Sequence, residues 1–118
     1  MKKLTFLFIA LFLTTASFAQ SSDVQVIKLN QTPGVFDQTS LKLKPGKYIF
    51  ELKNESVKHD VGFWLREEGD KKPLKNSDKG GLIKTGETVR TGVVELAAGT
   101  YTYSCPLNPT PNYKLTVK

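Results

Sequence analysis

Apolar side chains recur at every second position along most of this chain, in short runs separated by glycine turns, and that period predicts half-buried strands rather than helices. Val24, Val26 and Leu29 mark a first run, Leu41 and Leu43 a second, and Tyr48, Phe50 and Leu52 a third. A mostly apolar stretch from His59 to Leu65 follows, then Val89, Val93, Val94 and Leu96, then Tyr101, Tyr103 and Cys105, and finally Tyr113, Leu115 and Val117. Pro33-Gly34, Pro45-Gly46, Gly80-Gly81, Thr85-Gly86 and Ala98-Gly99 supply turns between them. About seven strands at this spacing predict an all-β, antiparallel Greek-key sandwich. No internal repeat is visible.

The amino terminus reads as a targeting segment. Lys2 and Lys3 precede an apolar run from Leu4 to Leu13, and Ser17-Phe18-Ala19 has the small-x-small pattern of a signal peptidase site. Residues 1–19 are therefore expected to be removed before Gln20, leaving a single domain over residues 20–118 that is exported, periplasmic or extracellular. The apolar run is shorter than the ~20 residues a membrane-spanning helix requires. Cys105 lies far from the cleavage position, which argues against a lipid anchor.

The formal charge of the whole chain is +6, and it falls by two once Lys2 and Lys3 are removed. The remaining cations are dispersed and lack the basic, aromatic-interleaved clustering of a nucleic-acid surface. From Glu67 to Lys84 the chain is charged and glycine-rich and carries Pro73, which predicts a solvated excursion between strands. Tyr101, Tyr103 and Cys105 should share one strand face. Tyr101, just after a glycine turn, is the candidate for a tyrosine corner.

The chain has one cysteine and one histidine. An unpaired cysteine in an exported protein is unusual, and Cys105 admits three readings: a buried inert thiol, an intermolecular disulfide, or a metal or redox ligand. A Cys105–His59 nucleophile and base would need a third group to orient the imidazole. Asp60 is next to His59, and neighbouring strand residues point to opposite faces, so no enzyme activity is expected.

Read together, Lys44-Pro-Gly-Lys-Tyr-Ile-Phe50, Asn54 with His59 five residues on, Thr85-Gly-Glu-Thr, Gly99-Thr-Tyr-Thr-Tyr-Ser-Cys105 and the closing Tyr-Lys-Leu-Thr-Val resemble the cupredoxins, the small blue copper proteins. The resemblance spans roughly Leu41 to Lys118. It implies a copper site at one end of the sandwich, with His59 as an imidazole ligand, Cys105 as the thiolate and Asp60 as a residue bracing the cysteine loop.

The same resemblance implies a second imidazole at position 108, where this chain has Asn108, and an axial thioether after Cys105, where no Met follows. Type 1 copper needs a trigonal set of two imidazoles and one thiolate. The expectation is thus a degenerate site that holds copper weakly through His59 and Cys105, with Asn108 at the place of the missing histidine, and that does not serve as a conventional electron carrier. Restoring an imidazole at 108 is expected to raise copper affinity. The alternative is a metal-free module that binds a ligand or an extracytoplasmic protein. Pro106, Pro109 and Pro111 stiffen the loop and remove N–H donors that could reach the sulfur.

Overall fold

The computed structural model describes residues 23–118; the targeting segment assigned to residues 1–19 lies outside them. Nine strands form among the described residues: β1 (Val24–Thr32), β2 (Val35–Phe36), β3 (Ser40–Leu43), β4 (Gly46–Asn54), β5 (Trp64–Glu67), β6 (Thr88–Arg90), β7 (Val94–Leu96), β8 (Gly99–Ser104) and β9 (Tyr113–Val117). One sheet runs β2-β1-β4-β6, with β7 also paired to β4, and the other runs β3-β9-β8-β5. Two pairings, β1 with β4 and β3 with β9, are parallel and the rest are antiparallel. The architecture is the expected all-β sandwich, with mixed rather than purely antiparallel sheets.

Two additional strands have local causes. The Val35–Phe36 pair folds back on the end of β1. The run from Val89 to Leu96 divides because Thr91 leaves the ladder: its N–H donates to the Phe50 carbonyl at 2.9 Å and its Oγ1 accepts from the Phe50 N–H at 3.0 Å. The stretch from His59 to Leu65 is a strand only from Trp64 onward, while Val61 makes an isolated bridge to Ile83.

Most of the alternating residues converge as the pattern requires, whereas Val24, Val26 and Val93 are exposed and β1 instead buries Leu29 and Gln31. On β4 the inward positions Tyr48, Phe50, Leu52 and Asn54 are buried, and on β9 Tyr113, Leu115 and Val117 are. Phe36, Tyr103 and Tyr113 form a mutually packed aromatic cluster with ring centroids 5.4–5.6 Å apart, in the tilted and edge-on arrangements that aromatic quadrupoles favour. Burial, followed by the neighbouring Tyr113 and Asp37, pushes the Tyr103 phenol up to about 12, and its hydroxyl donates to the Gln38 carbonyl at 2.6 Å.

The segment from 67 to 84 is less solvated than its composition predicts. Leu74 packs against the core and its N–H donates to the Leu65 carbonyl at 2.8 Å, while Ser77 and Ile83 are buried. Three apolar or hydroxyl anchors thus pin a mostly charged loop over one flank of the sandwich.

At the end where β4 and β8 begin, two tyrosines close the fold in the same way. Tyr101 donates to the Ala97 carbonyl at 2.7 Å, which is the tyrosine corner predicted there, and Tyr48 donates to the Lys44 carbonyl at 2.6 Å. Each tyrosine lies two residues after a glycine and reaches back four, so Lys44-Pro-Gly-Lys-Tyr48 and Ala97-Ala-Gly-Thr-Tyr101 are the same device used twice.

Candidate metal centre

Cys105 lies at the opposite end, just past the last residue of β8, and is 6% exposed. Its sulfur accepts N–H bonds from Asn108 at 3.1 Å, Leu107 at 3.4 Å and Gly62 at 3.3 Å. The first two come from positions i+3 and i+2, and Pro106 occupies i+1. This is the geometry of a side chain capping the start of a helical turn, with proline where no N–H is required. The prolines therefore do not starve the sulfur of donors as the sequence predicts. The non-proline residues of the loop, and Gly62 from the segment entering β5, provide them.

The loop is further held by Thr110, whose hydroxyl accepts from the Cys105 N–H at 3.0 Å. Gly62 packs against the Pro106 ring, where an added Cβ would lie 3.5 Å from Cγ.

Asn108, where the resemblance leads one to expect a histidine, is 2% exposed. Its Oδ1 accepts from the Gly34 N–H at 2.7 Å, and its Nδ2 donates to the Thr32 carbonyl at 3.0 Å and to Gln31 Oε1 at 3.2 Å. The carboxamide is aimed at the β1–β2 hairpin and is fully engaged there. Gln31 is itself buried and completes a chain by donating from Nε2 to the Gly62 carbonyl at 2.8 Å. A continuous polar network thus runs from the hairpin through Asn108 and Gln31 to Gly62, the residue whose N–H meets the sulfur.

His59 stands differently. It is exposed, and its Nδ1 lies 2.9 Å from the Asp60 carbonyl oxygen. Its own carbonyl accepts from Asn54 Nδ2 at 2.9 Å, and the same amide organises the loop through Val57 N–H to Oδ1 at 2.9 Å and Nδ2 to the Ile83 carbonyl at 3.2 Å. His59 and Cys105 are linked through Gly62, three residues after the histidine and hydrogen-bonded to the sulfur. Asp60 offers its carbonyl to the His59 ring, and the bracing of the cysteine loop is carried by Asn108, Gln31 and Thr110. Asn112 accepts from Arg66 Nη2 at 3.2 Å, on the outer side of the second sheet.

No family model matches the chain, and no curated protein does. Solved structures do. Auracyanin B superposes with a TM-score of 0.59 at 20% identity, covering 80% of this chain and 88% of that one. Auracyanin A, described as a "blue" copper protein from Chloroflexus aurantiacus, gives 0.59 at 21% identity over 81% of this chain and 100% of that one. A purple cupredoxin from Nitrosopumilus maritimus gives 0.54 at 14% identity, over 78% and 99%. This chain has the cupredoxin fold.

Identities this low establish the cupredoxin architecture and leave the ligand set to be judged on the chain's own residues. Among the described residues no group of three or more His, Cys, Asp or Glu side chains is placed to hold a metal ion. The trigonal His₂Cys set of type 1 copper does not fit, because the chain has a single histidine, and the carboxamide of Asn108 is engaged with the protein.

Gln31, Thr110 and Gly62 escape a reading by ligand type, since none is a ligand. Gln31 did carry a signal. It falls in the inward phase of β1, two residues after the buried Leu29, and a polar side chain in an apolar register must have buried partners.

Proposed function

We propose that this is an exported, non-enzymatic protein in which the cupredoxin copper position has become a hydrogen-bonded clamp, and that it acts by binding rather than by electron transfer. The observation that carries this reading is Asn108, which makes three hydrogen bonds to the β1–β2 hairpin in place of a metal bond. In a copper cupredoxin the metal ties the cysteine loop to the rest of the sandwich end. Here Asn108 and Gln31 perform that tie, and the capped Cys105 sulfur is the loop's internal support.

A second reading is favoured by the link through Gly62. His59 and Cys105 belong to adjoining segments, and a soft sulfur with an imidazole suits Cu(I). Weak, two-ligand Cu(I) binding would follow from an outward movement of the cysteine loop.

Anaerobic Cu(I) titration of the purified protein, followed by oxidation, separates the readings. A metal-free clamp gives only weak copper uptake that survives both His59→Ala and Cys105→Ser. Uptake lost in both variants supports the two-ligand site. An intense visible sulfur-to-copper band in the parent would overturn the clamp altogether.

A further inference from the structure

The outer face of the first sheet carries an apolar row bounded on both sides by charge. In one charged row Lys47 of β4 stands between Val24 of β1 and Glu95 of β7, and in the other Glu51 stands between Lys28 and Arg90 of β6. Between these rows lies Ile49, with Val26 on one side and, on the other, Val93, which precedes the buried Val94 and so points outward. Val24, Val26 and Val93 are 42%, 39% and 38% exposed. The outward positions of β8 and β9 in the second sheet are, by contrast, Thr100, Thr102, Lys114 and Thr116, the polar surface that a solvated sheet face normally carries.

The two charged rows differ. Arg90 pairs with Glu51 at 3.0 Å, whereas Lys47 and Glu95, although neighbours in register, make no ion pair among the described residues. One charged row lies a single step along the strands from the apolar row in one direction, and the other a single step in the opposite direction. A two-fold rotation about an axis running along the apolar row, just above the sheet, therefore exchanges them. It sets Lys47 over the partner's Glu51, Glu95 over the partner's Arg90 and Val24 over the alkyl stem of the partner's Lys28, while Val26, Ile49 and Val93 meet their own copies.

We infer that this face is the contact surface of a homodimer, two copies packed sheet on sheet about that axis. A second copy is the occupant because the surface complements itself: one rotation brings the apolar row onto the apolar row and every acid of the two charged rows onto a base, as an isologous contact requires. Each copy then holds a chain of alternating charge in which its Arg90–Glu51 pair is flanked by the partner's Glu95 and Lys47. Lys53, one row further out, and Lys79, exposed beside Gly92 at the sheet margin, stay at the solvated rim. An axis lying across the strands sets the strands of the two copies antiparallel, in the aligned class of sheet packing. An apolar centre inside a polar rim is the anatomy of a protein contact, and the charge pairs fix its register more than its strength. The face is narrow, so the contact belongs to the small, reversible class. It uses neither Cys105 nor Asn108 and stands apart from the clamp reading.

Sedimentation velocity of the purified protein from about 10 μM to about 1 mM should show a reversible, concentration-dependent dimer. Two charge-swapped variants then test the geometry, each confirmed folded by its thermal transition. Lys47→Glu with Glu95→Lys, and separately Glu51→Lys with Arg90→Glu, each preserve net charge and the opposition of signs within a copy but set like charges across the contact. Each variant alone should dimerise about tenfold more weakly or worse. In an equimolar mixture of the two, every facing pair is again opposite in sign, so a mixed dimer of near-parent affinity should form. The inference is overturned if the parent stays monomeric throughout, or if the mixture associates no better than either variant alone. It is also overturned if both variants dimerise as the parent does, which would point instead to pairing along the edge of β1, where Val24 to Lys28 have no strand beside them on that side among the described residues.

Discussion

Gln31 and Asn54 are register partners near the upper ends of the parallel β1–β4 pair, Asn54 the last residue of its strand and Gln31 the last but one of its own, and each is a buried amide in an inward position. They divide one end of the sandwich between them. Asn54 shapes the loop that carries His59, while Gln31 supports the loop that carries Cys105, and Gly62 is where the two territories meet. This end of the molecule is organised around buried carboxamides, those of Asn54 and Gln31 together with Asn108, which bonds to Gln31.

Asn108 is the keystone of the second territory, so its removal is costly. Asn108→Ala leaves Gln31 Oε1 unmatched in a buried setting and the Gly34 N–H and Thr32 carbonyl unmatched in part-buried ones. At about 1–3 kcal/mol for each buried group left unsatisfied, partly relieved by relaxation and water, the expected loss is about 2–4 kcal/mol in urea denaturation. Gln31→Ala on top of it should add much less than it costs alone, since the two side chains share a network. Full additivity would show that the hairpin tie does not act as a unit.

Asn108→His tests whether the copper site is one residue from recovery. Sequence matching implies that it is; the direction of the Asn108 side chain implies otherwise, because an imidazole there is aimed at Gln31 and Thr32 and forfeits the carboxamide bonds. The expected outcome is a folded protein destabilised by about 1–3 kcal/mol, colourless after copper addition and oxidation. A strong visible absorption from this single change would show that the loop retains a ready trigonal geometry.

Cys105 should behave as a cap before it behaves as a nucleophile. Cys105→Ser keeps an acceptor for the loop N–H groups and is expected to cost no more than about 1 kcal/mol, whereas Cys105→Ala removes the cap and should cost about 1–2 kcal/mol. Alkylation of the native thiol should be slow and should accelerate sharply in denaturant. Equal rates in native and unfolded protein would contradict the burial.

Alkaline pH should destabilise the fold through Tyr103. The unfolded phenol ionises near 10 and the folded one near about 12, so between those values the unfolded state binds fewer protons and stability falls as pH rises. The loss is on the order of 2 kcal/mol, most of it between about pH 10 and about pH 12. Thermal midpoints of Tyr103→Phe, measured from pH 8 to 12, should show a smaller decline than those of the parent.

Much of the fold was legible because strand period and turn chemistry are local. Phe50 and Leu52 alternate in sequence and stack inward in space, and Tyr101 announces its corner by the glycine two residues before it. The copper expectation, by contrast, was read from residue types at family positions, which identifies Cys105 and His59 as candidates without saying where neighbouring side chains point. The decisive contacts of Asn108 span 74 to 77 positions along the chain, and no periodicity reports a partner at that separation. The paired use of the Lys44–Tyr48 and Ala97–Tyr101 turns was hidden for another reason: the two segments share only a glycine and a tyrosine, and the common element is a hydroxyl reaching a backbone oxygen.

The two tyrosine corners also fix which way the molecule faces. β1 begins beside Lys47 and β9 ends beside Gly99, so the first and last strands both have their outer ends at the tyrosine-closed pole. A linker, a solid support or a fusion partner attached next to either strand end would leave the Cys105 loop directed away from it. Immobilisation through either strand end is thus a single-orientation experiment, with the clamp always presented outward to whatever is passed over it.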